Sequence, residues 1–184
     1  HILAGTIPNC ISYDPTFAHE VGVILHHGLK RMVEKQDNVY FYLTLLNENY
    51  PMPGLKEGTE EQILKGMYLL QEGAKKTPRV NLLGSGTILR ESMAAKELLE
   101  KEWGVAANVW SCPSFNELTR DGQDCERFNM LHPAAEPKIP FVTQQLEKHH
   151  GPVIACTDYK KNYAAEIRDG ITKGSKHKVL GKEG

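Results

Sequence analysis

A short apolar run, a glycine-containing turn and the start of a helical pattern follow one another in the stretch Val80-Asn81-Leu82-Leu83-Gly84-Ser85-Gly86-Thr87. The run predicts a buried strand at 80–83, because short apolar segments bounded by turn residues are typical of strands in a sheet core. After the turn, apolar residues at helical spacing predict a helix from Thr87 to about Trp103. Strand, turn and helix in this order begin a βαβ unit.

The alternation continues downstream of this stretch. We expect strands at 107–112, 152–156 and 177–180, and helices around 142–146 and over 159–167. Strands that alternate with helices of this length indicate parallel sheets. The fold class is therefore α/β.

Upstream, the sequence predicts one longer helix, one strand and one short helix. The longer helix lies between Asp14 and Glu34, with Asp14 as its cap. A continuous apolar and aromatic run at 39–46 predicts a strand that is covered on both faces. The short helix is expected to carry four apolar residues on one side, namely Ile63, Leu64, Met67 and Leu70.

A glycine- and proline-containing break divides the chain into two units. We predict a linker at 74–78, after a first unit at 1–73 and before a second unit at 79–184. The chain begins with His1 rather than methionine, and its last predicted strand stops soon after it begins. We therefore expect a part of a longer protein.

Composition excludes several classes of partner. The 22 basic and 23 acidic residues nearly cancel, so the overall charge favours neither nucleic acid nor an acidic membrane surface. No apolar run approaches the roughly 20 residues that a membrane-spanning helix needs. The four cysteines lie far apart and form no CxxC pair; they are Cys10, Cys112, Cys125 and Cys156. This spacing fits neither a zinc site nor a disulfide framework, and it favours a cytoplasmic location.

The glycine turn at 84–86 has two interpretations. Such a turn can bind a phosphate, because free backbone N–H groups and the helix dipole converge there. However, the third glycine of a dinucleotide fingerprint would stand at position 89, which is Leu89, and no clearly placed acidic residue follows. A tight strand-to-helix turn that needs glycine for its backbone conformation is the favoured interpretation.

Two other features suggest chemistry. The pairs His26-His27 and His149-His150 could ligate a metal, but adjacent helical residues point about 100° apart, so no metal site is predicted. The polar segment 120–127 could bind an anion or act in acid–base chemistry. It could equally form an ion-paired surface turn at a subunit contact, which the residues alone favour.

Several longer stretches are more specific than these motifs. They are TIPNCISYDP (6–15), LNENY (46–50), LLGSGTILR (82–90) and SFNELTRDGQDCER (114–127), with NMLHP (129–133) and TDY (157–159). In this order they closely resemble the family of homodimeric bacterial pyruvate dehydrogenase components. The resemblance implies consecutive transketolase-like three-layer α/β/α domains with mostly parallel sheets. Residues 1–73 would be the C-terminal part of the pyrimidine-binding domain, and 79–184 a truncated transketolase C-terminal-like domain.

The resemblance also implies a reaction, cofactors and partners. The parent enzyme would decarboxylate pyruvate oxidatively, with thiamine diphosphate and magnesium, and pass acetyl to the lipoyl group of a dihydrolipoyl acetyltransferase. It would act as a homodimer, and the isolated chain would be inactive. The Gly-Asp-Gly motif that positions magnesium is absent, so neither cofactor is expected on this chain alone.

His1 is the one candidate catalytic residue. It resembles the last histidine of a loop that, in this family, leads into the Ile-Pro-Asn-Cys segment and lines the active centre. An imidazole there could donate a hydrogen bond to the substrate. A loop histidine without a catalytic role is the alternative. The alternative for the whole chain is a non-catalytic transketolase C-terminal-like module that binds a subunit or a small anion.

Overall fold

The chain forms two sheets that meet at the carboxyl ends of their parallel strands. The structure, a computed structural model, describes residues 1–75, 77–171 and 176–182. The first sheet pairs β1 (Cys10–Tyr13) with β2 (Tyr40–Leu43) in parallel. Helix α2 (Ala18–Leu29), which continues as one turn of π-helix at Lys30–Glu34, makes the crossover between them. This is a βαβ unit, of which the sequence predicts the helix and the second strand but not β1.

The second sheet has five strands. They are β3 (Tyr68–Gln71), β4 (Arg79–Gly84), β5 (Ala106–Ser111), β6 (Val153–Lys160) and β7 (His177–Lys182). Their order in the sheet is β3-β5-β4-β6-β7, and β3 alone runs antiparallel to its neighbour. Because β5 lies on one side of β4 and β6 on the other, the strand order reverses between β4 and β6. In open α/β sheets, ligands bind at the carboxyl ends of the strands at such a switch point.

The remaining helices connect these strands or precede them. They are α1 (Ile2–Gly5), α3 (Glu60–Leu64), α4 (Gly86–Glu102), α5 (Phe115–Leu131), α6 (Phe141–Leu146) and α7 (Lys161–Ala165), which a 3-10 turn at Glu166–Gly170 extends. Ser114 caps α5, since its hydroxyl accepts a hydrogen bond from the backbone N–H of Glu117. This S-x-x-E spacing is a sequence signal for a helix start.

Helices cover both faces of the five-stranded sheet. Alternate residues of a strand point to opposite faces. Leu83 and Trp110 pack with side chains of α5, α6 and α7. Leu82 and Ala107 pack with Ala95 and Leu99 of α4. The five-stranded sheet and its helices therefore form a three-layer α/β/α sandwich with mostly parallel strands, which confirms the predicted fold class.

Three local predictions are wrong. The strand at 40–43 is not covered on both faces, because α2 and α3 cover only the face of Phe41, and Tyr40 and Tyr42 are each 44% exposed. The short helix ends at Leu64, since Gly66 adopts a φ of +102°, and Leu70 belongs to β3. The predicted surface turn at 120–127 is instead the middle of α5.

The position of the domain boundary stays a prediction. Strand β3, which precedes the proposed linker at 74–78, pairs with β5 of the second sheet. The backbone N–H of Gly73 donates to the Asn108 side chain at 2.9 Å and so fastens the segment to the same sheet. Within the linker, Lys76 lies outside the described residues. The first part of the chain thus already contributes an edge strand before the break.

Within the described residues, no helix has the length and apolar character needed to cross a membrane.

Candidate active site at the seam between the two sheets

Four polar side chains converge where the two sheets meet. Asp14 directly follows β1, Thr44 directly follows β2 and Ser85 directly follows β4. Tyr159 lies near the end of β6. Parallel strands bring such end residues to one edge, and β4 and β6 flank the switch point. The carboxyl ends of both sheets therefore build one polar cluster, which we call the seam cluster.

Asp14 is the centre of the seam cluster. Its side chain accepts hydrogen bonds from Thr44 Oγ1 at 2.6 Å and from Ser85 Oγ at 2.8 Å. A longer contact of 3.4 Å joins the Tyr159 hydroxyl to Asp14 Oδ1. Asp14 is only 6% exposed, so these hydroxyls replace the water that the carboxylate loses on folding.

The backbone of Asp14 is fixed as firmly as its side chain. Its N–H donates to the Pro113 carbonyl at 2.7 Å, and its carbonyl accepts from the Gly86 N–H at 3.0 Å. The Asp14 carboxylate thus lies at the N-terminus of α4, where the helix dipole favours a negative charge. A Cβ atom on Gly86 would stand 2.6 Å from Asp14 Oδ2. The Asp14 carboxylate therefore fills the space beside the glycine turn in which a phosphate would bind. This supports the tight-turn interpretation over phosphate binding.

His1 joins the seam cluster through Thr44. His1 Nε2 lies 2.9 Å from Thr44 Oγ1. The imidazole stacks on the ring of Tyr163 at a centroid distance of 5.1 Å, and the rings of Tyr159 and Tyr42 lie 5.0 and 5.3 Å away. Among the described residues, His1 Nδ1 is buried without a hydrogen-bond partner. The single predicted site residue is thus placed at the switch point, with one nitrogen bonded and the other free.

Burial raises the pKa of Asp14 above its ordinary value, although its hydrogen bonds to Thr44, Ser85 and Tyr159 act in the opposite direction. A carboxyl group whose pKa is raised by folding holds its proton better in the folded state than in the unfolded state. Its stabilising contribution is complete below the unfolded-state pKa of about 3.9 and is lost as the pH rises through the raised folded-state pKa.

The direction of this pKa shift predicts how the stability of Asp14→Asn depends on pH. The asparagine mimics the protonated carboxyl group and does not titrate. As the pH rises from about 4 to about 7, the original protein should lose free energy of unfolding relative to the variant. The loss is about 1.4 kcal/mol for each unit by which the folded-state pKa exceeds the unfolded one. Denaturant unfolding of both proteins across this pH range measures it, and parallel pH curves would refute the assignment.

A second buried carboxylate, beside the seam cluster, joins α2 to the five-stranded sheet. Glu20 of α2 is fully buried and accepts from the backbone N–H groups of Thr16 and Phe17 at 2.6 and 3.0 Å. The hydroxyls of Tyr68 on β3 and Ser111 on β5 donate to its other oxygen. Glu20 therefore both caps α2 and ties it to the second sheet. The prediction that Asp14 caps this helix is wrong, because α2 begins only at Ala18 and the Asp14 side chain bonds to other residues of the seam cluster.

The two histidine pairs do not come together. The ring of His27 packs against Phe41, whereas the ring of His149 lies edge-on to Trp110. In residues 1–75, 77–171 and 176–182, no three histidine, cysteine or acidic side chains are grouped to hold a metal ion.

The polar segment 120–127 holds the chain's own backbone. Arg120 donates to the carbonyls of Cys10 and Ile7 at 2.7 and 3.0 Å. The Asp121 carboxylate accepts from the N–H of Phe141. These two residues pack α5 against neighbouring segments of the same chain, which favours a structural role over acid–base chemistry.

Sequence reasoning singled out His1 as a candidate but missed the side chains around it. Asp14 was assigned to a helix cap, and Thr44, Ser85 and Tyr159 were not assigned to a site. A signal was present for Ser85, which follows the predicted strand at 80–83 and its glycine. Thr44 lies inside the predicted strand at 39–46, and no strand is predicted before Asp14. Strand ends in parallel sheets are where polar site residues concentrate.

Comparison with known families divides the chain into two matching regions. Residues 1–53 match the model described as pyruvate dehydrogenase E1 component middle domain. Residues 66–184 match the transketolase-like C-terminal domain. The chain is also 52% identical over 187 residues to the pyruvate dehydrogenase E1 component of Escherichia coli and 50% identical over 186 residues to that of Cupriavidus necator. All of this chain aligns, but it spans only 20% and 21% of those two proteins.

Solved structures share the fold at much lower sequence identity. A transketolase from Campylobacter jejuni superimposes with a TM-score of 0.59 at 20% identity, over the whole of this chain and 23% of that one. A transketolase mutant from Pichia stipitis gives a TM-score of 0.54 at 16% identity, over 96% of this chain and 21% of that one. These likenesses confirm the transketolase-like architecture.

Proposed function

Because the chain belongs to the family of pyruvate dehydrogenase E1 components, we propose that it is part of an enzyme that oxidatively decarboxylates pyruvate and transfers the acetyl unit to a lipoyl group. The observation that carries this proposal is the identity of about half of all residues to E1 components along the entire chain. Three of the four residues of the seam cluster, Asp14, Ser85 and Tyr159, also lie in stretches that resemble the family. The similarity and the geometry therefore point to the same place.

The proposed division into domains follows the sequence. Residues 1–73 would be the end of the pyrimidine-binding domain and 79–184 a transketolase C-terminal-like domain, with β3 crossing to the second sheet before the linker at 74–78. A homodimer partner and a dihydrolipoyl acetyltransferase are the proposed protein partners, and a cytoplasmic location completes the proposal. The full-length protein would hold thiamine diphosphate and magnesium through residues outside this chain, since the Gly-Asp-Gly motif that positions magnesium in the family is absent here.

The proposed role of this chain is to supply His1 to the reaction centre. Bound thiamine diphosphate would provide the carbanion chemistry of decarboxylation. His1 Nε2 lies within hydrogen-bond distance of Thr44, whereas Nδ1 is buried without a partner among the described residues; in this proposal, Nδ1 exchanges a proton or a hydrogen bond with the substrate oxygen. The aromatic rings of Tyr42, Tyr159 and Tyr163 surround the imidazole and exclude water from it.

The full-length protein with thiamine diphosphate, magnesium and a lipoyl domain tests the proposal. We expect pyruvate to support acetylation of the lipoyl domain, measured by intact mass, and 2-oxoglutarate to support transfer at least about tenfold more slowly. A reaction of sugar phosphates without any transfer from pyruvate would instead indicate a transketolase. The absence of any turnover, in a protein that binds both cofactors, would favour the non-catalytic module.

A further inference from the structure

We propose that Asp14 is a positioning residue that fixes the orientation and the tautomer of the His1 imidazole through the hydroxyl of Thr44. This inference rests on the proposed function, because it assigns the support of the residue that the proposal places at the reaction centre. It adds two residues, Asp14 and Thr44, that sequence reasoning does not assign to catalysis.

The directions of the hydrogen bonds around Thr44 determine the tautomer of His1. A hydroxyl has one hydrogen to donate. Thr44 donates it to Asp14 Oδ1 at 2.6 Å, so its oxygen can only accept from His1 Nε2 at 2.9 Å. His1 must then carry its proton on Nε2, which leaves a free lone pair on Nδ1. The buried Nδ1 without a partner among the described residues agrees with this tautomer.

The Asp14 carboxylate, at the end of this hydrogen-bond chain, is held in a fixed orientation. Asp14 accepts from Ser85 and Thr44 through different oxygens, and its backbone is bonded to Pro113 and Gly86. The carboxylate therefore cannot turn to follow Thr44. Since all three neighbouring hydroxyls donate to it, the ionised acid is the form that matches their geometry.

The hydrogen-bond chain has a consequence for proton transfer at His1. When Nδ1 takes a proton, the imidazolium keeps its Nε2–H bond to Thr44, and the negative charge of Asp14 lies one hydroxyl away. A carboxylate that orients an imidazole and stabilises its charged form has the same logic as the acid of a catalytic triad. Here the link is indirect, because Thr44 stands between the acid and the base.

Four single substitutions and one double variant of the full-length enzyme test this hydrogen-bond relay from Asp14 through Thr44 to His1. Thr44→Val removes the hydroxyl at nearly constant volume, and we expect kcat for pyruvate to fall about tenfold with KM within about twofold. Thr44→Ser restores the hydroxyl and should recover most of the turnover. Thr119→Val is the matched control, since among the described residues its hydroxyl bonds only to the Phe115 carbonyl of its own helix, and its turnover should be unchanged. In His1→Gln, adding Thr44→Val should cause no further loss, because the relay acts only through His1.

The outcomes separate the relay from the role of His1. A large loss in His1→Gln together with normal turnover in Thr44→Val, or equal losses in Thr44→Val and Thr44→Ser, would overturn the relay and leave the proposed function standing. Full turnover in His1→Gln would remove the role of His1 and the relay together. A crystal structure of Thr44→Val is a readout independent of activity: we expect the imidazole plane to rotate away from the Tyr163 ring, and an unmoved ring would overturn the inference.

Discussion

Replacing Gly86 with alanine is expected to destabilise the protein by at least about 3 kcal/mol, which is more than the backbone strain alone. Gly86 adopts a φ of +49°, a conformation that costs other residues roughly 1–2 kcal/mol. In addition, the new Cβ atom would stand 2.6 and 2.7 Å from the two oxygens of the Asp14 carboxylate. The carboxylate must then leave its hydroxyl partners while it stays buried.

Gly104 is a matched control that separates the cost of backbone strain from the cost of the clash with Asp14. Gly104 also has a positive φ, of +64°, but a Cβ atom there would meet nothing within 4 Å. Gly104→Ala should therefore cost only about 1–2 kcal/mol. Guanidinium denaturation followed by circular dichroism gives both values. If the two variants lose the same free energy of unfolding, Asp14 does not occupy the start of α4 as described.

Much of the fold follows from hydrophobic patterning. The strands at 79–84 and 106–111 and the helix at 86–102 lie within two residues of their predicted positions, because each is long or bounded by glycine. The antiparallel strand β3 was not predicted, since its residues 68–71 continue the apolar spacing of the preceding helix. Its strand conformation depends on pairing with β5, which is distant in sequence. The hydrophobic pattern of a short segment does not show which distant strand it pairs with.

The helix α5 was missed for a different reason. Its charged residues suggested a surface turn, but Ser114 and Glu117 form the N-terminal signal of a helix, and Arg120 and Asp121 lie one turn further on. The side chains that looked functional bind backbone groups of the same chain. Charge composition alone did not separate a structural helix face from a site.

The site was harder to predict than the fold, because it unites residues far apart in the sequence. His1, Asp14, Thr44, Ser85 and Tyr159 come together only when the two sheets align their carboxyl ends. Glu20 helps to hold that alignment, since it joins α2 to the hydroxyls of Tyr68 and Ser111. The family resemblance led to His1, and the three-dimensional structure supplied the residues around it.

The central claim is that His1, held in the seam cluster, takes part in the reaction of pyruvate. The most direct measurement is the rate of lipoyl acetylation by the full-length enzyme with His1→Gln, at saturating pyruvate and with thermal stability measured alongside. Loss of a general acid–base group typically costs 10² to 10⁴ in rate, so we predict a fall of at least about 10²-fold with an unchanged melting temperature. Turnover equal to that of the original enzyme would contradict the account.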